Sequence, residues 1–137
     1  MGREGFSIEY FCYDNFGYSA KYVDELFDNL EECSKMVRYY LDTSVGQPDE
    51  LKMDINRLSM DVDTLFLDFS SVYITIARII NEAKREFFLS KKIKADKRQT
   101  RAVSQKIDRL GKDMEKIVEK TRAYMKKVHV PKTASTT

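Results

Sequence analysis

The chain has 137 residues, of which 42% are hydrophobic and 34% charged, with only 5 Gly and 2 Pro. That balance belongs to a globular chain, and so few turn-forming residues exclude a loop-rich or all-β fold. The net charge of +2 conceals a division: residues 1–63 hold 6 Lys/Arg against 14 Asp/Glu, and residues 64–137 hold 18 against 8.

Cys12 and Cys33 form no CxxC pair and stand far from the single histidine, His129. Neither a structural zinc site nor a disulfide framework is expected, and a reducing, cytoplasmic setting is the default. The opening "MGREGFSIEY" lacks a basic-then-apolar signal pattern, and Phe6 stands where a myristoylation motif wants Ser or Thr.

In chain order, an aromatic leader comes first, "FSIEYFCYDNFGY" at residues 6–18 within a leader of 1–18. Val23, Leu26, Leu30, Cys33, Val37 and Tyr40 then recur at alternating intervals of three and four. This predicts a helix over about 19–42. Gly46 suits a left-handed turn after it, and Pro48, Asp49 and Glu50 suit the start of the next helix.

That second helix, 48–90, is the longest element expected. Leu51, Ile55, Leu58, Val62, Leu65, Phe69, Val72, Ile76, Ile79 and Ala83 form an apolar seam of alternating steps. A heptad sustained this long indicates a coiled-coil-like helix, and the β-branched run "SSVYITIARII" at 70–80 is its middle. At 1.5 Å per residue such a helix is roughly 64 Å long. The uncharged stretch Phe69 to Ala77 is nine residues, against the about 20 that a membrane span needs. No membrane span is expected.

The third helix, 97–128, carries Val103, Ile107, Leu110, Met114, Ile117, Thr121, Tyr124 and Val128 in the same rhythm. Asp96 followed by Gln99 resembles a capping box at its start. Gly111 weakens the helix by about 1 kcal/mol relative to Ala. The tail 129–137, polar and broken by Pro131, is expected to be disordered. Residues 1–128 then form one elongated, all-α, antiparallel three-helix, coiled-coil-like bundle with the aromatic leader packed on the long central helix.

A second stripe on the central helix, Phe66, Tyr73, Ile80 and Phe87, repeats every seven residues. It needs cover from the leader or from a second copy of the chain, so these four are interface candidates. The functional expectation is a non-catalytic protein–protein interaction or assembly protein, self-associating, with no metal and no cofactor. A second reading is nucleic-acid binding. Lys84, Arg85, Lys91, Lys92, Lys94, Lys97, Arg98 and Arg101 cluster at one end of the helices against only Glu86 and Asp96, and basic clusters attract phosphate backbones. Asp61, Asp63 and Asp68 are carboxylate-rich, but helical geometry divides them between faces.

One short pattern remains. Arg122 and His129 in "RAYMKKVH" have an R-x6-H spacing that resembles the ribonuclease signature of HEPN domains, with Ala123 where the commoner form has a polar residue. The resemblance covers eight residues. It implies a helical dimer in which Arg122 and His129 act on an RNA phosphodiester.

Overall fold

A computed structural model describes residues 5–90 and 95–135 of the chain, with side chains to Val128. Four α-helices pack against one another: α1 (Ile8–Phe16), α2 (Ala20–Asp42), α3 (Asp49–Ser90) and α4 (Lys97–Ser135). A short 3₁₀ turn, Ser44–Gly46, joins α2 to α3. The described residues contain no strand. None of these helices is long and apolar enough to cross a membrane.

The apolar rhythm explains which faces turn inward. Of the ten seam residues on α3, all from Ile55 to Ala83 are buried and Leu51 is half-buried. On α4, Val103 through Tyr124 are buried in the same steps, and on α2 Val23, Leu30, Cys33 and Val37 are buried. Each fully buried Leu, Ile, Val or Phe contributes about 1.5–3 kcal/mol by leaving water, enough to override the weak helix propensity of the β-branched residues.

Three local features differ from the sequence expectation. The leader is itself helical over Ile8–Phe16: Ser7 Oγ accepts from the Tyr10 N–H, and Gly17, at φ 79°, ends α1 in the left-handed region. Gly46, expected in a left-handed turn after α2, instead closes the 3₁₀ turn, and among the described residues no left-handed glycine follows α2. The helix expected to stop at 128 continues as α4 to Ser135.

Internal contacts divide the chain into two units. One comprises Met1–Phe27 with Asp68–Gly111, and the other Asp28–Leu67 with Lys112–Thr137. The first is knitted by aromatic rings. Phe6 lies edge-on to Phe87 with centroids 6.1 Å apart, Phe11 meets Phe16 at 6.0 Å, and Phe27 meets Phe69 and Tyr73 at 5.6 and 5.8 Å. Tyr73 donates to Asp24 Oδ1 at 2.8 Å, and Tyr18 donates to the Asp108 carboxylate. A Cβ at Gly111 would stand 3.1 Å from the Tyr22 hydroxyl, so the glycine leaves room for the end of that side chain against α4.

The second unit is bridged by charge. Lys120 Nζ meets Asp61 Oδ2 at 3.1 Å, and Lys127 Nζ meets Asp54 Oδ2 at 3.4 Å. Both pairs repeat at intervals of seven on antiparallel helices, so they form two rungs beside the apolar seam. Exposed rungs of this kind contribute about 0.2–1 kcal/mol each.

Candidate functional site

In the second unit a groove of about 280 Å³ lies between α3 and α4. Leu58, Ala123 and Tyr124 form its apolar lining, with Asp54, Arg57, Asp61, Lys120 and Lys127 around them. Tyr124 is only 3% exposed, and its hydroxyl has no hydrogen-bond partner among the described residues. Its ring packs edge-on against Tyr40 at 5.6 Å. Burial, then the nearby charge of Asp54, then Tyr40 push its hydroxyl pKa upward, so it stays neutral at physiological pH.

The same direction holds elsewhere. Burial, then Glu9, pushes the Cys12 thiol up to about 11. Burial and Glu32 raise that of Cys33, opposed by Arg122. The hydrogen bond to Asp108 raises Tyr18. Among the described residues, no group of His, Cys, Asp and Glu could hold a metal ion.

Ile80 is buried, while Phe66, Tyr73 and Phe87 are half-buried. Tyr73 and Phe87 meet Phe27 and Phe6 of the same chain. Arg122 is exposed on α4 near the Cys33 thiol; His129 lies in the same helix, its side chain outside the described residues. Asp61 is paired with Lys120, and Asp63 and Asp68 are exposed.

Of the basic cluster, Lys91, Lys92 and Lys94 lie outside the described residues. Arg85, Lys97, Arg98 and Arg101 are exposed and Lys84 is half-buried. Lys97, Arg98 and Arg101 occupy the start of α4, whose first turn holds no acid. Cations there oppose the positive end of the macrodipole, so helix stability does not account for them. Asp96 offsets part of this by accepting from the Arg98 N–H at 2.8 Å. A recess of about 370 Å³ beside it is lined by Glu82, Glu86 and Asp96 with Arg85, which makes its mouth acidic.

One feature escaped the sequence reading. Met53, Met60, Leu67, Ile74 and Phe88 on α3 are 60–72% exposed and stand at multiples of seven residues. They occupy the face opposite the buried seam, where an isolated amphipathic helix carries polar residues. The interval was present in the sequence, but the stronger seam claimed the helix's apolar face.

The chain matches no family model, no curated protein and no solved structure.

Proposed function

We propose that this chain is a non-catalytic assembly protein, a three-helix bundle of coiled-coil character that self-associates. The observation that carries the reading is the exposed apolar row on α3, opposite a seam that is already filled. A single exposed Leu or Met is ordinary, whereas an aligned row on one helix marks a contact surface. The heptad burial on α2, α3 and α4 and the flanking Asp–Lys rungs support the coiled-coil character. Molar mass measured by sedimentation across micromolar concentrations tests the proposal. A concentration-dependent rise supports it, and a constant monomer mass refutes it.

A second reading follows from the start of α4, where Lys97, Arg98 and Arg101 lack a stabilising role in their own helix. In it, this end binds nucleic-acid phosphates without sequence preference. Affinity then falls with salt, with a slope of about −0.9 per phosphate neutralised on duplex DNA. No binding to DNA or RNA at low salt eliminates this reading.

A further inference from the structure

The exposed row on α3 carries more than a tendency to associate, because its flanks select a partner and a register. Positions at intervals of seven fill one of the two seam positions of each heptad, the one that stays in line when two helices supercoil, and the exposed Asn81 interrupts the row between Ile74 and Phe88. Of the exposed residues beside Leu67 and Ile74, Thr64, Ser70, Ser71 and Ala77 are small and uncharged, and Asp63 and Arg78 carry charge. The four short side chains let a second backbone come close, since the interaxial distance of packed helices depends on the side chains between them.

Resting on the self-association reading above, we infer that this face binds α3 of a second copy of the chain, antiparallel, with the two-fold axis beside Ile74. In such an isologous contact each flank of the helix meets the same flank of its copy. Ile74 then packs on Ile74 of the second copy, Leu67 meets Asn81, and Met60 meets Phe88. Ser70 meets Ala77. Asp63 meets Lys84, and the symmetry makes this ion pair twice.

On the other flank Arg78 faces Ser71 and Arg85 faces Thr64, so within α3 no like charges oppose. The neighbouring registers fail this condition. Sliding one heptad toward the start of α3 sets Arg57 against Arg85 twice, and sliding one heptad the other way sets Arg78 against Arg78. A parallel, in-register pair sets Lys84 against Arg85 twice. Like-charge contacts disfavour an arrangement in proportion to how well they are desolvated, which is how flanking charges fix register and orientation in helical pairs.

The test is the molar mass of the full chain and of four variants, each checked for an unchanged helical circular dichroism spectrum. Ile74→Glu places two carboxylates on the axis and raises the dimer dissociation constant by about a hundredfold or more. Ile74→Gln, which adds no charge, raises it by a smaller factor and guards against a folding effect of the glutamate. Asp63→Lys and Lys84→Asp each raise it by about tenfold. The double variant Asp63→Lys with Lys84→Asp restores the parent value within about twofold, because the pair is rebuilt with its signs exchanged. A dimer broken at Ile74 but not rescued by the exchange overturns the register while leaving self-association intact. A dimer indifferent to both Ile74 variants overturns this face as the contact. A parent chain that stays monomeric overturns the self-association reading itself.

Discussion

Ile76 and Ile74 sit two residues apart on α3 and have opposite fates. Ile76 is 9% exposed in the seam, and Ile74 is 67% exposed on the opposite face. The residue type is the same, the helix is the same, and only the direction of the side chain differs. Two steps rotate a helix by about 200°, which carries one isoleucine into the core and the other out of it. Hydrophobicity therefore does not mark the core of this helix. Phase does.

The largest break in that comparison is Ile76→Asp. An unpaired carboxylate among buried apolar residues costs several kcal/mol, comparable to the stability of a whole domain, so the variant loses its helical circular dichroism signal at ambient temperature. A melt like that of the parent would mean the register is misread.

Tyr124 sharpens the contrast between apolar and polar atoms within the seam. Its hydroxyl is buried without a hydrogen-bond partner among the described residues. Tyr124→Phe removes that atom and keeps the ring, and stabilises the fold by about 1 kcal/mol in denaturant titration. Destabilisation by a similar amount would show that the hydroxyl has a partner.

Cys12 reports burial through chemistry. With its thiol held at about 11 by burial and then by Glu9, the native protein at pH 8 presents roughly a hundredfold less thiolate than an ordinary cysteine. Alkylation of the native chain is slow, and denaturant restores the ordinary rate. The unfolded chain releases this proton at lower pH than the native one. This contribution to stability is therefore complete below about pH 8.5 and is lost as pH rises through 11.

At the exposed rungs the effects become small. Lys120→Ala removes the 3.1 Å contact with Asp61 and lowers stability by about 0.2–1 kcal/mol, less at high salt. The smallest effect belongs to the residue that opened the comparison. Ile74→Asp leaves the melting of the dilute protein within about 0.5 kcal/mol of the parent, because the side chain already stands in water. Unfolding of this variant would reverse the two faces.

Much of the helical scheme was legible because burial repeats. The alternating three- and four-residue steps on α2, α3 and α4 need no knowledge of distant partners, and apart from the half-buried Leu26 and some of the end positions they mark the buried residues. The helix of the leader was not legible in this way. Its nine residues are too short for a period to declare itself, and its signals are local, the Ser7 cap and the left-handed Gly17. The candidate site was less legible still. Asp54 and Asp61 meet Lys127 and Lys120 only because α3 and α4 run antiparallel at one particular stagger. Gly111 reads in sequence as a weakness of its helix, and becomes room for a side chain only where Tyr22 lies against it.

The sequence by itself determined the all-helical class, the phase of the long seam and the opposite charge balance of its two halves, since each is set by intervals and composition along one chain. Tertiary structure alone decided what those intervals leave over. Phe87 is met by Phe6, Tyr73 by Phe27 and Asp24, and the row from Met53 to Phe88 by nothing of the described chain that buries it. A stripe at a seven-residue interval looks the same in sequence whether a neighbouring element covers it or water does. That outcome depends on where elements distant in the chain come to rest.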